Sequence, residues 1–425
     1  MRDTQGKLNR RSVVTGMTAL AASAAFPMPA LSQSILGNLM GGRRPTVTQE
    51  ELELNSRQAM DAIGGTDPIV SVDTEFNLQR VAEYYERLTS IGGWPDVPES
   101  IFRLGLGSDR APVNDLRTYL AHTGDLPRET PLSERFDAQL DAAVRGFQAR
   151  HGLQINGMVD EHTYWAMKVP AATRLNQIKL NIERVRGLEG RLENRYVNVN
   201  IPAAAIETIE AGQVGRRHTA VVGKIDRQTP ILRSRIHQIN FNPYWTVPVS
   251  IIRRDIIQLV RDNPNYLNEY SIRIFDGSGN EVPQTAIDWN TEQAVNYTFR
   301  QDPGVQNSMG HVKINFHNPH AVYLHDTPQQ GLFSENARFH SSGCVRVADV
   351  AEFVAWILRD SSYDIIDVNS HFASGERVDA SVSNPVPIFM TYFTAWANRN
   401  GVVSFRDDVY EFDAQGKVDF PEINA

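Results

Sequence analysis

The spacing of apolar residues divides the chain into two parts. In the first part, Val81, Tyr84, Tyr85 and Leu88 fall at i, i+3, i+4 and i+7, the spacing of an amphipathic helix. From about residue 195 the period changes to two: "RYVNVNIP" alternates aliphatic side chains with asparagines and predicts a half-buried strand. Helical segments followed by a β-rich region predict an α+β multidomain protein whose larger domain is mixed but mainly β.

Residues 92–170 have the pattern of three short helices around one apolar stripe. "VNDLRTYLAHTGDLP" is a helical pattern ended by a glycine, and "INGMVDEHTYWAMKV" begins with an Asn-Gly turn and offers Asp160 as an N-cap. The middle segment, "FDAQLDAAVRGFQARHGL", places five apolar residues on one helix face: Phe136, Leu140, Ala143, Val144 and Phe147. The pattern predicts a compact helical module, and a generic helical spacer is the alternative.

Two strands precede the single cysteine of the chain, Cys344. "HVKINFHN" alternates apolar and polar residues, and "AVYLHDTP" puts Val322 and Leu324 on one face and Tyr323 and His325 on the other. Apolar spacing beyond the cysteine predicts a helix that starts near residue 350. The stretch of about 251–300, rich in Asn, Asp and charge, predicts an insertion over the sheet that acts as a substrate lid.

Composition narrows the class of protein. The chain has 425 residues, 41% hydrophobic and 22% charged, which is typical of a soluble globular protein of two or three domains. A formal net charge of −8 gives no basic signature for nucleic acid, so no nucleic-acid partner is expected.

The first 32 residues have the features of an export signal. Lys7, Arg10 and Arg11 precede "SVVTGMTALAASAAFPMPA", a small apolar stretch too short for a confident membrane span, and small residues at Ala30 and Ser32 suit a signal peptidase. The twin arginine leaves the route open between the general pathway and the one for folded proteins. We therefore expect a periplasmic protein.

Cys344 lies in "RFHSSGCVRV", where a single cysteine is an intermolecular partner, a buried inert thiol or a reactive one. A thiol becomes a nucleophile when an imidazole or a helix N-terminus stabilises its thiolate. His325 at a strand end and the helix expected after Cys344 offer both. Small residues before the cysteine let a substrate carbonyl approach backbone N–H groups.

The segments "YLHDTP" and "SSGCVRV" closely resemble the active-site signature of L,D-transpeptidases with a YkuD-type catalytic domain. "NFNPYWTVP", "NSMGHVKINFHN" and "VPIFMTYFTAW" are similar to the larger periplasmic branch of that family, and residues 92–170 resemble its peptidoglycan-binding module. The match covers about residues 92–410. In this chain Ser342 stands where many members have histidine directly before the Gly-Cys pair, which leaves the role of Ser342 open.

The resemblance implies a role for each matching residue. Cys344 would be the nucleophile and His325 the general base, and the backbone N–H groups of Gly343 and Cys344 would form the oxyanion hole. Four residues would contact the substrate: Arg346, Tyr323, Ser342 and Trp245.

Two of these residues have structural alternatives, because Arg346 could instead pair with Asp349 and Trp245 could instead be a core aromatic. The histidines His317 and His320 share a proline-containing turn without an acidic partner, so neither a metal nor another cofactor is expected.

The predicted function is formation of 3→3 crosslinks between peptidoglycan stem tetrapeptides through a cysteine thioester, with carbapenems as inhibitors. Outer-membrane protein amines, free D-amino acids or water are alternative acceptors, and a catalytically idle wall-binding scaffold is the alternative of another class. The expected organisation is a signal peptide (1–32), a linker with a helical scaffold (33–91), the peptidoglycan-binding module (92–170), a helical connector (171–194), the catalytic domain (195–375) and a C-terminal extension packed on the rest (376–425).

Overall fold

Two antiparallel helices form a scaffold along one side of the protein. The computed structural model describes residues 65–419, so the predicted signal peptide and the first half of the predicted linker lie outside the described residues. Helix α1 (Thr74–Ser90) buries a stripe that includes Val81 and Tyr85, as its spacing predicts. The helical module follows, and helix α5 (Ala171–Arg186), the expected connector, then packs against α1.

Three helices make up the module between them: α2 (Pro112–Thr123), α3 (Ala138–Arg150) and α4 (Glu161–Met167). The Asp160 carboxylate accepts a hydrogen bond from the Thr163 N–H and so caps α4. The apolar stripe of α3 is buried with residues of α2 in one core. The pattern in the sequence predicted all three helices.

A closed barrel forms the larger domain. Its strands are β1 (Arg195–Asn200), β2 (Ala205–Glu210), β3 (Gln213–Gly223), β4 (Leu232–Phe241), β9 (Val312–Phe316), β10 (Leu324–His325), β12 (Val345–Val347) and β13 (Val378–Thr391). The described residues pair in the order β3–β12–β10–β9–β4–β13–β1–β2, and β2 returns to β3, which closes eight strands into a ring. The short strand β11 (Phe339–Ser341) adds in parallel to β3.

An aliphatic core fills the barrel, and helix α9 (Val350–Leu358) packs its apolar face on that core. Helix α10 (Ile365–Ser374) lies beside α9. Strand β1 is buried on both faces, not half-buried as its alternation predicted: Asn198 and Asn200 are fully buried. The scaffold helices cover that face, and the Asn200 amide exchanges hydrogen bonds with the Phe393 backbone.

The chain leaves the barrel between β4 and β9 and forms an insertion. Its sheet has the order β5–β8–β6–β7, with strands β5 (Trp245–Thr246), β6 (Ile272–Phe275), β7 (Glu281–Val282) and β8 (Thr298–Gln301). Its helices are α6 (Val249–Ile251), α7 (Ile257–Asp262) and α8 (Tyr266–Glu269), with a wider π turn at Ile252–Ile256. The insertion has an apolar core of its own, so it is a small folded unit.

The C-terminal region is part of the barrel. Strand β13 pairs with β1 in parallel and with β4 antiparallel, so the barrel continues past the boundary at residue 375 expected from the sequence. The hairpin of β14 (Ala395–Ala397) and β15 (Val403–Phe405) then packs on the scaffold helices. Short 3-10 turns complete the described chain at Glu99–Ile101, Gln284–Ala286, Gln293–Asn296, Gln330–Ser334 and Arg359–Ser361. Among residues 65–419, no helix is long and apolar enough to cross a membrane.

Candidate active site

Three neighbouring strands bring a lysine, a histidine and an arginine into one row. His325 on β10 is opposite Arg346 on β12 in a parallel pair and opposite Lys313 on β9 in an antiparallel pair. The residues that alternate with them, Leu324 among others, belong to the barrel core. Because side chains alternate across a strand, the three polar residues share the face outside the barrel.

Cys344 lies one residue before β12 and next to Tyr323, in the adjacent row of the same face. The Val345 N–H donates to the Tyr323 carbonyl at 3.1 Å, and the Tyr323 phenol contacts the Cys344 thiol. The Tyr323 and His325 rings lie 5.7 Å apart, centroid to centroid. The structure therefore gathers four residues predicted from the sequence at one edge of the barrel: Cys344, His325, Tyr323 and Arg346.

The turn before Cys344 is held by its own polar groups. The Ser341 hydroxyl donates to the Cys344 carbonyl and accepts from the Gly343 N–H at 3.1 Å, while Thr229 donates to the Gly343 carbonyl at 2.9 Å. Gly343 has a φ of 112°, a conformation that favours glycine. The Gly343 N–H, predicted to belong to the oxyanion hole, is thus occupied, whereas the Cys344 N–H has no hydrogen-bond partner among residues 65–419.

The helix expected to aid the thiol does not begin beside it. Strand β12 follows Cys344 directly, and α9 starts only at Val350. The effect of a helix N-terminus falls off within about one turn. The thiol therefore depends on neighbouring side chains, contrary to that part of the sequence prediction.

His325 is held as a neutral imidazole. Burial, reinforced by the positive charges of Arg346 and Lys313, lowers its pKa to about 3. Its Nδ1 lies 2.5 Å from the Asp326 carbonyl oxygen. Since a carbonyl only accepts, Nδ1 carries the hydrogen, and the backbone of Ser308 is a second contact of the ring.

The Cys344 thiol is only partly exposed, and the burial of the site raises its pKa. Hydrogen bonds from Tyr323 and the charges of Lys313 and Arg346 act in the opposite direction. Burial also raises the pKa of Tyr323 well above its ordinary value, so its phenol keeps a proton to donate. The resting site thus contains a neutral thiol beside a neutral imidazole.

Comparison with known proteins assigns both domains. Residues 194–388 match the family model of YkuD, the L,D-transpeptidase catalytic domain, and residues 109–167 match that of a putative peptidoglycan binding domain. Residues 194–388 form an L,D-transpeptidase domain of the YkuD family. The family resemblance and the fold class predicted from the sequence are confirmed.

Two curated relatives accompany these matches. A putative L,D-transpeptidase of Haemophilus influenzae is 30% identical over 262 residues, 61% of this chain and 52% of that protein. The chain therefore spans about half the length of this relative. The N-acetylmuramoyl-L-alanine amidase CwlM of Mycobacterium tuberculosis is 42% identical over 73 residues, 15% of this chain and 18% of CwlM.

Solved structures of L,D-transpeptidases are also similar, at low identity. An L,D-transpeptidase from Mycobacterium smegmatis is 14% identical, with 47% of this chain and 58% of that chain covered and a TM-score of 0.23. One from Xylanimonas cellulosilytica is also 14% identical, with coverage of 70% and 100% and a TM-score of 0.22.

Arg346 and Trp245, for which the sequence also allows a structural role, have different surroundings in the L,D-transpeptidase domain. Arg346 does not pair with Asp349: its Nη1 donates to the Gln329 side chain at 2.6 Å, and Asp349 pairs with Arg216. The Arg346 Nε is buried without a hydrogen-bond partner in the described chain. Trp245 packs on the insertion core and also lies beside the Tyr323 phenol, so it is both a core aromatic and a wall of the site.

Ser342 joins the turn before Cys344 to the insertion. Its hydroxyl accepts from Arg227 at 3.0 Å, and Arg227 also binds Asp255 in the π turn of the insertion at 2.6 Å. The sequence does not predict Arg227 or Asp255 as site residues, because nothing in either segment indicates that they meet. Lys313 was missed for another reason: its place in "HVKINFHN" predicts the outer face, but a lone lysine on a strand is usually only solvated.

Proposed function

We propose that the protein is a peptidoglycan L,D-transpeptidase in which Cys344 is the nucleophile and His325 the general base. The observation that carries the proposal is the position of Cys344 beside Tyr323 and one row from His325, on one face of a YkuD-family barrel. A partly exposed thiol can reach substrate, and a neutral imidazole can take its proton.

The reaction proceeds in two steps, acylation of Cys344 and transfer of the acyl group to an amine. The Cys344 sulfur attacks the carbonyl between the third and fourth residues of a tetrapeptide stem while the thiol proton passes to His325. The C–N bond breaks, the proton goes to the leaving amine, and D-alanine departs from a thioester. An amine of a second stem then attacks the thioester, forms the new amide with loss of its proton, and regenerates the thiol. The product is a 3→3 crosslink.

Backbone donors stabilise the tetrahedral oxygen in both steps. The Cys344 N–H, which has no partner in the described residues, points to the oxyanion role that the sequence suggested. The Gly343 N–H joins it when the Ser341 hydroxyl turns away from it. This rearrangement changes one side-chain torsion of Ser341 and also breaks its hydrogen bond to the Cys344 carbonyl.

The remaining groups bind the substrate. The buried and unpartnered Nε of Arg346 suits a carboxylate of the donor stem, and Tyr323 and Trp245 line the same space. The helical module, matched as a putative peptidoglycan binding domain, would hold glycan strands near the site. The leader that contains Arg11 would act as a signal peptide and direct the enzyme to the periplasm. N-terminal sequencing of protein recovered from the periplasm tests this, because the mature chain should then begin near Gln33.

One experiment tests the function and separates the acceptors. The purified full chain is incubated with disaccharide-tetrapeptide, and products are identified by mass spectrometry. A 3→3 dimer with release of D-alanine supports the proposal, and a tripeptide alone identifies hydrolysis. An unchanged substrate, with sacculi still bound by the protein, identifies a wall-binding scaffold. Addition of D-amino acids or a lysine-terminated peptide tests the other acceptors.

A further inference from the structure

Lys313 extends the site beyond the residues assigned above. It lies opposite His325 in the β9–β10 pair, while Arg346 is opposite His325 on the other side. Adjacent strands are about 4.8 Å apart, so two cationic side chains flank the imidazole on one face.

The Lys313 side chain leans toward the row of the nucleophile. Its Nζ lies 4.3 Å from the centroid of the Tyr323 ring, and the same ring contacts Cys344 through its hydroxyl. A cation over an aromatic face is attracted by the ring, so this contact fixes the direction of a flexible side chain. The Tyr323 side chain thus lies between the Lys313 ammonium group and the Cys344 thiol.

The charge of Lys313 is not compensated by a carboxylate. Within residues 65–419 Lys313 takes part in no ion pair, and burial lowers its pKa, which only the charge of Cys344 opposes. A partly buried cation without a counter-ion destabilises the resting fold. An anion that appears during the reaction would compensate it.

His325 cannot supply the positive charge that a thiolate needs in the resting site, because it is neutral at neutral pH. The charged and titratable groups that face Cys344 are Tyr323 just before β10, His325 on β10, Lys313 on β9 and Arg346 on β12. Of these, only Lys313 and Arg346 are cations.

We propose that Lys313 is a positioning residue whose ammonium group, together with the guanidinium of Arg346 on the other side of His325, stabilises the Cys344 thiolate and so increases the fraction of reactive sulfur. The inference rests on the proposed function only in taking Cys344 as the nucleophile. Lys313 acts through Cys344 and does not have to touch the substrate.

Alkylation of Cys344 with iodoacetamide tests the role without any peptidoglycan substrate. Because the chain has one cysteine, the mass of the full chain reports modification at a single site. The pH midpoint of the alkylation rate follows thiolate formation. Lys313→Met and Lys313→Gln should shift this midpoint upward by about one pH unit, and alkylation at neutral pH should become about tenfold slower. Lys313→Arg should restore most of the wild-type profile, because it retains the charge.

Controls keep the result specific. Lys179→Met removes an exposed lysine of α5 that pairs with Glu86, and it should leave the midpoint unchanged. Thermal unfolding checks that each variant is folded. If Lys313→Met or Lys313→Gln is folded and its midpoint is unchanged, the inference is overturned. If, in addition, the KM for a muropeptide rises, Lys313 acts in substrate binding instead. If the proposed function is wrong, the wild-type protein will instead show no transfer activity, while the Lys313 variants still shift the midpoint.

Discussion

Arg227 donates a hydrogen bond to the Ser342 hydroxyl at 3.0 Å and, at the same time, holds Asp255 with two contacts of 2.6 and 3.0 Å. One guanidinium therefore connects the turn before Cys344 with the inserted unit. A charge-assisted, bidentate contact of this kind fixes geometry as well as adding energy. π turns such as Ile252–Ile256, which contains Asp255, are frequent at functional sites.

Asp255→Asn should loosen the insertion over the site. The amide forms a weaker contact with Arg227, so backbone amides of Ile252–Asp262 should exchange hydrogen several-fold faster, as measured by mass spectrometry. Global stability should change by less than about 1 kcal/mol, because the pair is partly exposed. We also expect the KM for donor peptide to rise more than kcat falls.

Asp262→Asn is the matched control, since within the described part of the chain the Asp262 side chain accepts only from Gln258, on the exposed surface of α7. It should leave amide exchange at the π turn as in the wild type. Equal exchange in Asp255→Asn and the wild type would show that Arg227 does not restrain the insertion.

The sequence predicts the local part of the site well. Alternation in "AVYLHDTP" places His325 and Tyr323 on the polar face because the period of a strand is two, whatever the partner strands are. The apolar stripe of α3 likewise predicts its buried face. In both cases the information lies within about ten residues.

Long-range pairing explains what the sequence could not predict. Val197 is opposite Ile388 in the parallel pair of β1 and β13, two segments that are far apart in the chain. Without that pairing, the sequence predicts β13 as part of an extension and Asn198 on the exposed face of its strand. The Arg227–Asp255 pair depends in the same way on where the insertion folds back.

Cys344→Ala should abolish covalent labelling by a carbapenem, whose strained ring carbonyl is an acyl donor to a thiolate. The wild type should gain one adduct per chain in intact-mass analysis, because it has one cysteine. Cys344→Ser should also lose labelling at neutral pH, because a hydroxyl ionises far less than a thiol. Transfer activity should fall in parallel. An adduct on Cys344→Ala would move the reaction to another nucleophile.

Asp125→Asn should destabilise the helical module strongly. Asp125 follows α2 and pairs with Arg150 at the end of α3 through two contacts of 2.6 Å, and both side chains are buried. The substitution leaves a buried guanidinium without its counter-charge, which costs about 3–5 kcal/mol. Urea unfolding followed by circular dichroism measures the loss.

Asp141→Asn provides the comparison on the same module. Asp141 pairs with Arg145 four residues later on α3, and the arginine is exposed. Its loss should cost less than about 1 kcal/mol. Similar losses for both variants would mean that burial does not govern the energy of the Asp125 pair.

Because the pKa of His325 is depressed in the folded protein, the free energy of unfolding should be lower in mild acid. Its pKa is about 3 in the folded protein and near the ordinary value of 6.5 when unfolded, so the unfolded chain binds one more proton between these values. The stability from the neutral imidazole is complete above pH 6.5 and is lost as the pH falls through that window. At pH 5 the loss from this group is about 2 kcal/mol.

Urea unfolding at pH 7 and pH 5 measures this loss as the difference between the two free energies of unfolding. In His325→Gln, which cannot be protonated, the difference should be smaller than in the wild type by about this amount. His122→Gln, on the exposed surface of α2, should retain the wild-type difference. If His325→Gln retains it too, the imidazole is not held neutral by burial, and its role as a ready proton acceptor for Cys344 loses its physical basis.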